Sequence, residues 1–103
     1  MTVTTRPAPT LAMLREKRAE ILALAEQYGA YNVRVFGSVA RGEATPESDI
    51  DLLVTFKAGT SLYELAGLWQ AIGELLGHEI NLLSDGNLRQ RLREAIEGDL
   101  VWL

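Results

Sequence analysis

The 103-residue chain contains no cysteine. Disulfides and thiolate metal ligands are thereby excluded, and a reducing cytoplasm suits it. Long apolar runs are also missing: the longest, such as Ile21 to Ala25, are far too short to span a bilayer, and Met1 to Pro9 has no apolar signal core. The expectation is a cytoplasmic protein with no membrane association. Basic residues are scarce, 10 against 14 acids for a net charge of −4. That balance argues against a broad nucleic-acid-binding surface but not against a small nucleotide, because metal ions offset triphosphate charge and need acids to hold them. Neither a P-loop lysine motif nor a Gly-x-Gly-x-x-Gly fingerprint occurs. The single histidine, His78 after Gly77, reads as a turn or surface residue rather than a catalyst.

What is present is an ordinary globular composition, 48% apolar and 23% charged. A chain of this length supports one modest core, burying roughly 60 to 70% of the unfolded surface. No repeat or low-complexity stretch interrupts it, so the expected organisation is a flexible leader over 1–9 and a single domain over 10–103.

Apolar residues Leu14, Ile21, Leu22, Ala25 and Tyr28 recur at helical spacing, predicting a helix from about Leu11 to Tyr28 that stops at Gly29. Asn32 to Phe36 reads as a strand ending at Gly37, and Ser38 to Arg41 as a helical turn before a loop around Pro46. Asp49 to Phe56 is a second strand. Ser61 and Glu64 form a capping box opening a helix whose apolar face is Leu62, Leu65, Ala66, Trp69, Ile72, Leu75 and Leu76, ending at Gly77. Glu79 to Leu83 reads as a third strand and Ser84 to Asn87 as a turn with Asn87 as N-cap of a last helix, Leu88 to Glu97, closed by Gly98. The apolar tail with Trp102 is expected to pack on the domain. Arg89, Arg91 and Arg93 read as solvated helix face. The order predicts an α/β (α+β) fold, a small mixed sheet with helices packed on it, whose strand order the sequence leaves open.

One stretch carries chemistry: "VRVFGSVARGEATPESDIDLLVTF", residues 33–56. Strand alternation puts Asp49 and Asp51 on one face with Leu53 beside them, about 7 Å apart along the chain. Such a pair repels unless a cation lies between, and Mg²⁺ suits it: hard, carboxylate-seeking, and able to keep positions for water and phosphate. Ions so held stabilise the attacking and leaving oxygens of an in-line phosphoryl or nucleotidyl displacement. Gly37 lets backbone approach a phosphate, Ser38 offers a hydroxyl and amides at the start of a helical turn, and Arg41 can reach a phosphate oxygen. Taken singly, each has a plainer reading: an ordinary turn, a solvated arginine, a surface loop or structural ion site.

Gly37-Ser38, ten intervening residues, then Asp49-Ile50-Asp51 resembles the signature of the nucleotidyltransferase superfamily that includes DNA polymerase beta and kanamycin nucleotidyltransferase. On so short a chain, "GSVARGEATPESDIDLLV" resembles the minimal nucleotidyltransferase (MNT) branch. The resemblance implies the nucleotidyltransferase fold, nucleotide phosphates held at Gly37 and Ser38, and catalytic Mg²⁺ bound by Asp49 and Asp51. It further implies ATP as donor, and a HEPN-domain toxin as partner in a hetero-oligomer, with this chain as the antitoxin; some members move AMP onto a tyrosine of the toxin. A third carboxylate belongs on a later strand in that superfamily, and here Asn81 stands in its place. An amide cannot take a nucleophile's proton. Glu79, two residues away, is the nearest replacement, and Asp85 a more distant one.

Three functions remain open on this reading. The first is a Mg²⁺-dependent transferase of nucleotide to a partner protein. The second is a binding module of the same fold that neutralises its partner by complex formation alone. The third, a small-molecule nucleotidyltransferase, needs an acceptor pocket this chain has little length to build.

Overall fold

The computed structural model describes residues 7–103, apart from the side chain of Asn87. Its elements run α1 (Leu11–Glu16), α2 (Arg18–Gln27), β1 (Ala30–Phe36), α3 (Gly37–Arg41), β2 (Ile50–Phe56), α4 (Leu62–Leu76), β3 (Ile80–Ser84), a 3-10 turn (Asp85–Asn87), α5 (Gln90–Glu97) and β4 (Val101–Trp102). Four strands form one mixed sheet in the order β3-β2-β1-β4. β1 is antiparallel to β2 and β4, while β2 and β3 run parallel, joined by α4 as the crossover that parallel strands require.

The sheet's two faces are unlike. Val33, Val35, Ile50, Leu52, Val54 and Ile80 join Leu14, Ile21 and Ala25 of α1 and α2 and Leu68 and Ile72 of α4 in the main core. On the other face Phe36 and Leu53 meet Ile96 of α5 in a smaller cluster, with Leu83, Leu88 and Leu100 partly buried around it. Leu53 shares the face of the acids, as alternation requires, but α5 covers it.

Several boundaries differ from the sequence reading, each for a local reason. The first helix is two, because Lys17 leaves helical geometry (φ −100°, ψ 9°); Thr10 caps α1 by accepting from the Met13 amide at 3.1 Å. β1 starts two residues early, at Ala30, opposite Phe56, and absorbs a bulge near Asn32, whose φ of 52° an asparagine tolerates. The capping box at Ser61 and Glu64 forms. The buried stripe of α4 is centred on Leu68 and Ile72, so at about 100° per residue Leu62 lies off it, and is 80% exposed. Trp69 is half-exposed and donates from Nε1 to the Ile80 carbonyl at 2.6 Å. α5 begins at Gln90 with extended Arg89 as N-cap, so Asn87, held in the 3-10 turn, is not the N-cap expected of it.

The tail does more than pack. Val101 and Trp102 add β4 to the edge of β1, and the Leu103 amide donates to the Val33 carbonyl at 3.1 Å. Trp102 remains mostly exposed, its ring 5.4 Å from the Arg34 guanidinium carbon. Residues 1–6 of the expected leader lie outside the described residues, and Pro9 at its end is buried. Among the described residues no helix is long and apolar enough to cross a membrane.

Candidate functional site

The fold brings the two halves of the quoted stretch into contact. Gly37 sits where β1 turns into α3, with φ +71°, and a Cβ there would collide with Asp51 Oδ2 and come within 3.1 Å of Cγ. Glycine is demanded twice, by the left-handed backbone and by the carboxylate against it. Ser38 follows in the first turn of α3, where helical amides have no intrahelical partner. Val39, fully buried, anchors this short helix to the sheet, and Gly42 ends it at φ 73°.

Asp51 lies mid-sheet, paired in register with Phe36 of β1 and Asn81 of β3. It is partly buried, and burial raises its carboxyl above the ordinary range, with the neighbouring Asp49 charge adding to the rise; Asn81 and Arg41 oppose it without cancelling it. Asp49 is exposed and stands one residue before β2, so the strand is shorter at this end than expected. The Asn81 side-chain amide donates to Asp51 Oδ1 at 3.2 Å. Asn81, where the resemblance implies a third acid, is thus beside Asp51.

The two other acids weighed for that role, Glu79 and Asp85, lie in different surroundings. Glu79 is exposed ahead of β3, where its carbonyl accepts from the Ile50 amide at 2.9 Å. Asp85 belongs to a different cluster, accepting from Thr55 Oγ1 at 2.6 Å and from Arg34 at 2.9 Å. Partial burial alone would raise the Asp85 carboxyl, but the Thr55 hydroxyl and Arg34 guanidinium outweigh it and hold the group below its usual range. Among the described residues no group of three His, Cys, Asp or Glu side chains is placed to hold a metal. Two carboxylates still fit Mg²⁺, which commonly takes one or two from protein and the rest from water and phosphate. The Gly37 backbone lies directly against Asp51 Oδ2, in the space a Cβ would fill.

Arg41 is not free. It donates to Glu43 at 3.1 Å and to Asp99, just beyond α5, at 2.6 Å. Sequence reasoning missed both partners; Glu43 is two residues away and was legible, whereas nothing in the sequence links Asp99 to Arg41. It also missed a groove of about 450 Å³ along α4 and the start of β3, lined by Trp69, Glu74, His78 and Glu79 among others. None of Gly37, Asp49, Asp51 and Asn81 lines it.

Comparison with known proteins places the chain in a family. The sequence profile of the family described as "Nucleotidyltransferase domain" matches residues 18–103. Protein adenylyltransferase MntA of Thermococcus cleftensis is 32% identical over 80 residues, covering 78% of this chain and 81% of its own length. A solved structure described as a candidate minimal nucleotidyltransferase superposes with a TM-score of 0.81 at 45% identity, over 91% of this chain and 96% of that one. A structure of the tri-AMPylated Shewanella oneidensis HEPN toxin in complex with MNT antitoxin gives a TM-score of 0.66 at 16% identity, over 85% and 69% of the two chains. At that identity it bears on the fold alone.

Proposed function

The chain belongs to the nucleotidyltransferase domain family, in its minimal branch, and from that premise we propose that it transfers AMP from ATP to a hydroxyl of a partner protein. The observation that carries the reading is the meeting of Gly37 with Asp51, which sets a side-chain-free turn against a carboxylate pair. Asp49 and Asp51 would hold Mg²⁺, whose chemistry is to offset the triphosphate charge and polarise the phosphoryl group. Gly37 and Ser38 would receive the phosphates at the head of α3. In the transfer the acceptor oxygen bonds the α-phosphorus, the α–β phosphoanhydride bond breaks, pyrophosphate leaves and the acceptor proton passes to water. Asn81 cannot take that proton. A tyrosine acceptor, with a pKa of about 10, needs less help than a sugar hydroxyl.

The adenylyltransferase relative supports the reaction, and the partner is proposed by analogy with a fold neighbour, an antitoxin in complex with an AMPylated HEPN toxin. We therefore assign a HEPN-type toxin as acceptor, in a cytoplasmic hetero-oligomer with this chain as antitoxin. Asn81 favours one second reading, a binding module that neutralises the toxin by occupying it. Labelled ATP and Mg²⁺, with and without the partner, separates them, with Asp49→Asn as control. Label on the partner that vanishes in the control supports the enzyme; a stable complex that never takes label supports the module.

A further inference from the structure

Asp51 has two oxygens in different surroundings. Oδ2 lies over the Gly37 backbone, in the space a Cβ would fill. Oδ1 accepts from the Asn81 amide at 3.2 Å, across the register pair Asp51–Asn81 of two parallel strands. The neighbouring charge on the same strand entrance is Asp49, of like sign, and the nearest guanidinium, Arg41, is already shared between Glu43 and Asp99. No other side chain among the described residues donates a hydrogen bond to Asp51. Among the described residues Asn81 is therefore the only side-chain donor to Asp51.

We propose that Asn81 is a positioning residue that clamps Asp51 without a cation, so that the β2–β3 pair closes in the metal-free protein and Asp51 presents Oδ2 alone to an incoming ion. An aspartate at 81 would face Asp51 directly across the strands, and like charges opposite one another destabilise a sheet. Such a site would depend on its metal to fold tightly; this one does not. The cost of the amide is a weaker grip on the ion, since it adds no charge. Asn81 trades metal affinity for a site that is assembled before nucleotide arrives. This rests on the functional reading above only for which ion is held.

The test separates the two. Thermal unfolding of the full chain in EDTA is measured for the native protein, Asn81→Asp, Asn81→Ala and Asn81→Ser, followed by Mn²⁺ titration read by electron paramagnetic resonance. Asn81→Asp is expected to lower the metal-free midpoint by about 4 °C or more and to bind Mn²⁺ about tenfold tighter, regaining its midpoint as Mn²⁺ is added. Asn81→Ala and Asn81→Ser should lower the metal-free midpoint with no gain in Mn²⁺ affinity. An Asn81→Asp protein as stable in EDTA as the native one overturns the proposal, as does an alanine variant of undiminished midpoint. Should no variant bind Mn²⁺, the metal-dependent transferase reading fails, while the EDTA midpoints still decide the role of Asn81.

Discussion

Two acids on one face of the same sheet live in opposite electrostatic circumstances. Asp85, beyond the end of β3, has a guanidinium and a hydroxyl on one oxygen and a carboxyl held below its usual range. Asp51, near the start of β2, has a neutral amide and a second carboxylate nearby, and a carboxyl raised above its range. Arg34 also lies over Trp102 of β4 and donates to Thr55 Oγ1 of β2 at 3.2 Å, so it knits three strands together. The Asp85 cluster is closed: its charge is answered from within the chain. The Asp51 cluster is open: no cationic side chain donates a hydrogen bond to it among the described residues, and on the proposed function a cation would supply the missing charge. The acid with a structural role and the acid proposed to be functional differ in whether the fold supplies the counter-charge.

The comparison is broken most severely by removing the open charge. Asp49→Asn should cut nucleotide transfer to the partner by about a thousandfold, measured by label incorporation, while leaving the circular-dichroism midpoint nearly unchanged, because Asp49 is exposed. Gly37→Val attacks both halves at once. A β-branched side chain at φ +71° that also collides with Asp51 should cost about 2 kcal/mol or more in urea unfolding. Arg34→Met opens the closed cluster by leaving Asp85 with Thr55 alone, and should cost about 1 to 2 kcal/mol by the same measurement, with transfer retained.

Acidity sharpens the contrast with smaller effects. Asp85 titrates lower in the folded protein than in the unfolded chain, so its contribution is present above the unfolded value of about 4 and is lost as pH falls through the folded value. Asp51 titrates higher when folded, so its contribution is present below about 4 and is lost as pH rises through its folded value. In metal-free unfolding measured across this range, Asp85→Asn should remove the acid-side loss and Asp51→Asn the loss on raising pH. Slopes of the same sign for the two variants would sink the distinction. Smallest of all, Trp102→Ala should cost about 0.5 kcal/mol through the lost stacking with Arg34, read as a small shift of the urea midpoint.

The site was legible to the extent that it is written in contiguous chain. Gly37, Ser38, Asp49 and Asp51 fall within fifteen residues, and strand alternation is enough to put the two acids on one side. The capping box at Ser61 and the stops at Gly29 and Gly77 depend on one helical turn, and they too were readable. Harder cases turned on small offsets: the expected apolar face of α4 held Leu62, Trp69 and Ile72, and the core keeps Ile72 but takes Leu68, which that face left out, in place of Leu62 and Trp69. β4 is a two-residue strand with no period of its own, and only the unpaired edge of β1 makes it one.

The sequence alone determined the residue chemistry: two acids, a glycine turn, and an amide at position 81. These follow from side-chain type and from periods of two or four residues, which need no knowledge of distant chain. Tertiary structure decided which of those groups meet. Parallel pairing of β2 with β3 set Asn81 against Asp51, the turn after β1 laid Gly37 over the same carboxylate, and the end of α5 brought Asp99 to Arg41. Such contacts join residues from 14 to 58 positions apart, and their partners are chosen by how the apolar faces pack, not by any local pattern.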